Sequence, residues 1–107
     1  VSVRTLIRIP RTARKGEVIE ISALIGHPME SGFRPGADGR RLPRNIIERF
    51  SCHYDGDLVF AVEFSSAIAA NPLIAFHTVA SASGTLRLSW EGDEGFRHQE
   101  SVTISVT

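Results

Sequence analysis

One cysteine in 107 residues leaves no internal disulfide and no multi-cysteine zinc site. Lysine is nearly missing as well: eleven of the twelve basic side chains are arginine, and Lys15 stands alone. Net charge is lacking, because twelve acidic groups balance the twelve basic ones, whereas a nucleic-acid binder normally carries an obvious basic excess. Aromatic rings are scarce in the first half, where Phe33 alone precedes Phe50, so a stacking platform for single strands has no rings to build on. No apolar run approaches the roughly 20 residues of a membrane-spanning helix. A secretory leader is not visible either: the first 14 residues alternate and then turn polar where an apolar segment of about 7–15 residues would be needed. The chain begins without Met, so processing or trimming of its first residues is expected.

What is present fits one small domain over residues 1–107, with no room for a second core or for a barrel fold of about 250 residues. With 42% apolar and 22% charged side chains, such a chain buries about 65% of its unfolded surface and folds without staples. The zero net charge is a sum of unequal halves. Residues 1–50 hold ten basic and five acidic groups, and residues 51–107 hold two and seven. Either the halves interleave in the fold and the field averages out, or a basic patch faces a partner. Planar arginine forks suit specific carboxylate contacts better than lysine does.

Period-two alternation dominates the chain. Val3, Thr5, Ile7 and Ile9 share one face of a strand ended by Pro10, and residues 11–16 form a basic turn. A second strand over residues 17–25 puts Ile19, Ile21, Ala23 and Ile25 on one side. Residues 45–54 form a strand with Ile46, Phe50, Cys52 and Tyr54 on one face. Asp55-Gly56 is a two-residue hairpin signal, and residues 58–64 return with Leu58, Phe60, Val62 and Phe64 together. Strands follow at 73–79, at 85–90 with Leu86, Leu88 and Trp90 inward, and at 96–106 with Val102, Ile104 and Val106 aligned. Seven short strands, no convincing helix and turns every 8–12 residues predict an all-β, immunoglobulin-like antiparallel β-sandwich with Greek-key connections. The Cys…Trp…Cys pattern of antibody domains is absent, so only the architecture follows.

Residues 27–43 break the pattern. They hold Pro28, Gly32, Pro35, Gly36, Gly39 and Pro43 with no apolar periodicity. A loop this long in a small domain is functional or disordered. Met29 and Phe33 are large apolar groups that disordered loops lack, so the segment reads as ordered and functional.

The candidates for chemistry thin out quickly. Cys52 lies on a strand face with Phe50 and Tyr54, where a free Cys behaves as a small buried hydrophobe; the alternatives are a disulfide to a partner or a reactive thiol. His27, His53, His77 and His98 are scattered without metal-ligand spacing, so no metal or other cofactor is expected. Asp93-Glu94 sits in a Gly-flanked turn and reads as solvated. No nucleophile elbow or phosphate-binding Gly loop is present, so no enzymatic activity and no catalytic residue are expected of this chain. A small thiol or metal enzyme using His27, Glu30 and Cys52 is the contrasting reading.

The stretch His27-Pro28-Met29-Glu30-Ser31-Gly32-Phe33-Arg34, followed by Asp38-Gly39 and Leu42-Pro43, resembles the loop of the sulfur-oxidation carrier subunit Z (SoxZ) family, with Ser31 where Thr is usual and an extra residue or so near Pro35-Gly36. Asn71-Pro72 with Phe76 is similar to that family's Asn-Pro-x-x-x-Phe element. The resemblance runs essentially the full chain. It implies a non-catalytic, immunoglobulin-like subunit that pairs with a Y subunit (SoxY). That partner's C-terminal Gly-Gly-Cys-Gly-Gly arm covalently bears thiosulfate-derived sulfur between enzymes of the oxidation cycle. The sequence here ends Ser105-Val106-Thr107 without such an arm, and Cys52 is not Gly-flanked. Such Z subunits are periplasmic and exported with a signal-bearing partner, which reconciles that location with the missing leader. On this reading His27, Pro28, Met29, Glu30, Gly32, Phe33, Arg34, Asn71 and Pro72 contact the partner or its arm. Arg40, Arg41 and Arg44 form an electrostatic rim that steers the anionic cargo. No nucleic acid or membrane is expected as a partner, docking to sulfur-oxidation enzymes is transient, and the isolated chain is expected to self-pair. A generic sandwich interaction module and the Z-like half of a fused carrier are the other readings.

Overall fold

A computed structural model describes residues 3–107; residues 1 and 2, to which the single-domain expectation also extends, lie outside the described residues. The alternating segments become β1 (Thr5–Arg8), β2 (Thr12–Ala13), β3 (Val18–Ile25), β4 (Ile47–Tyr54), β5 (Asp57–Glu63), β6 (Leu73–Val79), β7 (Gly84–Gly92) and β8 (Arg97–Val106). They form two sheets, one in the order β1-β3-β6 and the other in the order β2-β8-β7-β4-β5. The chain crosses between the sheets after β1, β2, β3, β5 and β6, which makes an immunoglobulin-like sandwich.

The alternation explains the core. Ile19, Ile21, Ala23 and Ile25 point inward from β3, and Phe50, Cys52 and Tyr54 from β4. Leu86, Leu88 and Trp90 come from β7 and Ile104 from β8. At the centre the Phe50 ring lies 5.1 Å from Trp90 and 5.9 Å from Phe76, in the tilted arrangements that ring quadrupoles favour. Phe60 stacks on Phe76 at 4.4 Å, joining the two sheets.

Asp55-Gly56 makes the expected tight hairpin, with φ of 48° and 89° at its two central residues. Asp55 Oδ1 also accepts the Thr85 N–H at 2.8 Å, so the turn is tied to β7.

Two expectations are corrected. Residues 11–16 are not simply a turn: Thr12 and Ala13 pair with Ser105 and Val106 as a short parallel ladder, so the sandwich is not wholly antiparallel. The Ala13 side chain is buried there, and the added strand covers part of the exposed edge of β8. Leu58 does not share the inner face with Phe60. The β4–β5 register shifts between Cys52 and His53, so the return strand carries one extra residue; Val59 packs on the core and Leu58 points to solvent.

Candidate functional site

The long loop is ordered because its polar groups are tied to three separate parts of the sandwich. At its start, the His27 N–H donates to Asn71 Oδ1 at 3.0 Å, and the Asn71 N–H donates back to the His27 carbonyl at 2.8 Å. Asn71 holds φ at 55°, a conformation in which a short amide side chain is tolerated, and Pro72 follows it buried. This links the loop to the β5–β6 connection. The His27 ring is buried edge-on against Phe96, 4.9 Å between centroids. Its Nδ1 accepts the Met29 N–H at 3.0 Å. Burial lowers the His27 pKa below the ordinary imidazole value, against a smaller opposing pull from Asp93, so the neutral ring that accepts this bond is favoured.

Next comes an abrupt turn. Met29 has φ of 49°, and its side chain goes inward, 5% exposed, where the sulfur accepts the Ile47 N–H at 3.2 Å. Glu30 and Asn45 then exchange backbone hydrogen bonds of 2.7 and 2.8 Å, closing the base of residues 31–44 like the neck of a purse. Gly32 lies just inside with φ of 89°, and a Cβ there would come within 3.1 Å of Arg44 Cβ. The left-handed conformation favours glycine, and any side chain would also have to push Arg44 back by a few tenths of an ångström.

Beyond the neck the chain makes a miniature hairpin. The Leu42 N–H donates to the Arg34 carbonyl at 2.8 Å and the Gly36 N–H to the Arg40 carbonyl at 2.6 Å. Asp38 Oδ1 caps the turn by accepting the Arg40 N–H at 3.0 Å. Phe33 stands on this hairpin 69% exposed, with the Arg41 guanidinium 5.6 Å from its ring centroid. That is within cation–π range.

The third tether is the turn before β8. Asp93 Oδ1 accepts Arg44 Nη2 at 2.7 Å, and Oδ2 accepts the Ile46 N–H at 3.1 Å. The Asp93 N–H returns to the Ile46 carbonyl at 2.9 Å. The hydrogen bond from Arg44 holds the Asp93 carboxyl below the usual carboxylate range. Glu48, 3.3 Å from the same guanidinium, is pushed upward because the Asp93 carboxylate lies beside it.

The nine contact residues and three rim arginines therefore divide. His27, Met29 and Pro72 are buried, and Asn71 binds the His27 backbone; these build the loop from beneath, and Met29 presents no side-chain surface to a partner. Pro28, Phe33 and Arg34 are exposed, and Glu30 and Gly32 half-buried. Among the arginines, Arg34 is paired with Glu30 at 2.6 Å, which lowers the Glu30 pKa, and Arg44 is paired with Asp93. Arg40 and Arg41 are exposed and form no ion pair among the described residues. Of the three arginines expected at the rim, Arg40 and Arg41 are thus left without an ion pair among the described residues, and Arg41 lies over the Phe33 ring.

Asp93 is not simply solvated, as its setting in an acidic turn suggests, but holds Arg44 and the entry to β4. No local signal marks that role, because its partners lie 47 and 49 positions away. Cys52 is completely buried on β4, and burial raises its thiol pKa to about 11. Glu30 is engaged by Arg34 and His27 Nδ1 by a backbone N–H, and no group of three potential metal ligands occurs among the described residues.

The family model described as "Sulphur oxidation protein SoxZ" matches residues 7–103. The chain belongs to the SoxZ family. That match takes in the whole loop and all three of its tethers. Among curated protein sequences, none matches this chain. Among solved structures, the fold is similar to that of SoxY, the sulfur carrier protein from Chlorobium limicola f thiosulfatophilum. The TM-score is 0.65 at 12% identity, over 96% of this chain and 78% of that one. It is similar as well to the E23A variant of a superoxide reductase (neelaredoxin) from Ignicoccus hospitalis, with a TM-score of 0.73 at 15% identity over 96% and 79% of the two chains. At such identities these likenesses establish shared architecture only. This SoxZ-family chain is accordingly a sulfur-oxidation subunit on an immunoglobulin-like frame.

Proposed function

We propose that this chain is the non-catalytic scaffold half of a two-subunit sulfur carrier. Its partner is a Y-type subunit whose C-terminal Gly-Gly-Cys-Gly-Gly arm holds thiosulfate-derived sulfur covalently. The pair shuttles that sulfur between the enzymes of the oxidation cycle in the periplasm, to which this chain is exported with its partner. The observation that carries the reading is the position of Cys52. A thiol with no exposure and a pKa near 11 is neither reachable nor ionised at neutral pH, and only the thiolate is a competent nucleophile. The covalent chemistry therefore belongs on another chain, and what this chain offers is a surface.

The loop supplies that surface. Phe33 is a rigid apolar anchor of the kind that dominates interface energetics. Arg41 over its ring and the adjoining Arg40 in the chain are free to attract an anionic thiosulfonate on a mobile arm or carboxylates on an approaching enzyme. His27, Met29, Asn71 and Asp93 act as positioning residues that hold this tip in place.

Co-expression with a Y-type subunit tests the reading. A one-to-one complex should co-purify, and the isolated chain should show no turnover of sulfur compounds. Phe33→Ala should weaken the complex or its docking to an enzyme. Arg40→Ala with Arg41→Ala should slow association more at low salt than at high salt. Failure to form any complex, or turnover by the isolated chain, would overturn the proposal; unchanged affinities for Phe33→Ala would overturn the loop's part in it.

A further inference from the structure

The two sheets differ on their outer faces. Seven large apolar side chains are exposed among the described residues, and four of them, Leu6, Val18, Leu73 and Val79, lie on the outer face of β1-β3-β6. The register arranges them in rows. Leu6 pairs with Leu24 and Leu24 with Leu73, so three leucines cross the sheet side by side. The next outward row is Arg8, Ser22 and Ala75; the one after it holds Glu20 and His77, in contact at 3.4 Å; the last is Val18 with Val79. The valine row lies six positions along β3 from the leucine row, about 20 Å at strand rise. A shallow groove of about 230 Å³ runs along the leucines, lined by Leu6, Arg8, Ser22, Leu24 and Leu73.

Exposed apolar rows of this kind mark interaction surfaces, since isolated exposed leucines need no explanation but an aligned set does. The order of the rows identifies the occupant. Reading across the face gives apolar, basic, acidic, apolar. A two-fold axis between the Arg8 row and the Glu20 row superposes that series on its own reverse. It sets the leucines of one copy against the valines of the other, and Arg8 of each copy beside Glu20 of the other. A partner with patches of one charge sign satisfies one half of this face and repels the other. A second copy satisfies both halves at once, as an isologous interface requires.

We infer that the outer face of β1-β3-β6 is a self-complementary docking surface for a second copy of this chain. The two sheets stack face to face about 10 Å apart, strands of one running against those of the other. Three strands spaced about 4.8 Å apart make a narrow face, so the contact belongs with small, weak interfaces and the dimer dissociates on dilution. This surface is separate from the Phe33 tip, and the two are tested by different variants.

Sedimentation velocity of the isolated chain over a range of micromolar concentrations tests the inference. A reversible monomer–dimer equilibrium is expected. Leu73→Glu should weaken it on the order of a hundredfold, because the buried charge enters twice in a symmetric contact. Leu73 is 63% exposed in the monomer, so the variant should keep the parent's circular dichroism and melting temperature. Arg8→Glu and Glu20→Arg should each weaken the dimer several-fold, with combination of the two restoring it. A chain that stays monomeric throughout, a dimer indifferent to Leu73→Glu, or two weakened single variants with no recovery in the double variant would each overturn the inference. A monomeric chain whose Leu73→Glu variant loses capture of a Y-type subunit would also overturn it and give the face to that partner.

Discussion

The Met29 sulfur accepts a hydrogen bond from the Ile47 backbone N–H at 3.2 Å, and so fastens the turn of the loop to the first residue of β4. That N–H belongs to a fully buried residue, and it sits where the β4–β7 register shifts between Ile47 and Arg49. Met29→Ala removes both the acceptor and the core packing, and should cost about 2–5 kcal/mol. Met29→Leu keeps most of the volume but removes the sulfur acceptor, so a smaller loss of about 1 kcal/mol is expected. Urea denaturation of the two variants separates these contributions. A Met29→Leu variant as stable as the parent would show that the sulfur acts only as bulk.

The neutral His27 ring accepts the Met29 N–H, and burial holds its pKa below the ordinary imidazole value. Its contribution to stability is therefore complete above that ordinary value and is lost as pH falls through the lower folded one. The parent should lose stability from about pH 6.5 downward, before the carboxylates titrate. In His27→Asn this early limb should vanish, although the variant is less stable throughout. A parent profile flat from pH 7 to pH 5 would contradict the assignment.

Asp93 and Glu48 sit against the same arginine but should respond in opposite ways. Arg44 lowers the Asp93 pKa, so the stabilisation from Asp93 is present above the ordinary aspartate value and disappears as pH falls through the depressed one. The Glu48 pKa is raised, chiefly by the neighbouring Asp93 carboxylate, so its charged form is disfavoured and the penalty grows as pH rises through that raised value. At neutral pH, Asp93→Asn should lower the melting temperature and Glu48→Gln should leave it unchanged or raise it. Thermal melts at pH 7 and pH 3 check both signs; the loss from Asp93→Asn should shrink at the lower pH.

Cys52 should be silent in the native state. An aromatic disulfide reagent at pH 8 should label it only at the rate of unfolding, and labelling should become immediate in denaturant. Because burial raises the folded thiol pKa to about 11, the neutral thiol's contribution to stability is intact below the ordinary thiol value and is lost as pH climbs toward the raised one. Cys52→Ser buries a stronger hydrogen-bonding group without a partner and should cost about 1–3 kcal/mol. Rapid labelling of the folded chain would contradict this position for the thiol.

Much of the frame was legible because strand periodicity is local. Leu86, Leu88 and Trp90 alternate with polar neighbours, and Ile19, Ile21, Ala23 and Ile25 alternate with Val18, Glu20, Ser22 and Leu24; both sets are buried. The order of the loop was legible from the presence of Met29 and Phe33, but their directions were not. Met29 turns inward at a positive φ and Phe33 outward, and composition contains no such information. Leu58 was misplaced because a one-residue bulge reverses the side-chain phase without any mark in the residue types. The pair of β2 residues escaped because two positions make no period. Asp93 escaped for a different reason: its meaning lies in Arg44 and Ile46, brought to it only by the docking of distant segments.

Those distant tethers impose an order on folding. The His27–Asn71 bond spans 44 positions, and the Asp93 bonds to Ile46 and Arg44 span 47 and 49. Closing loops of that length is entropically costly and slow, and contacts of such separation are repaid only when the elements that carry them have assembled. The Phe33 tip is thus a late product of folding. A chain in which β7 and β8 have yet to dock has no Asp93 in place to hold Arg44, and hence no fixed hairpin to present. A partner that reads this tip reads the completeness of the whole sandwich, and unfinished chains are passed over without a separate checkpoint.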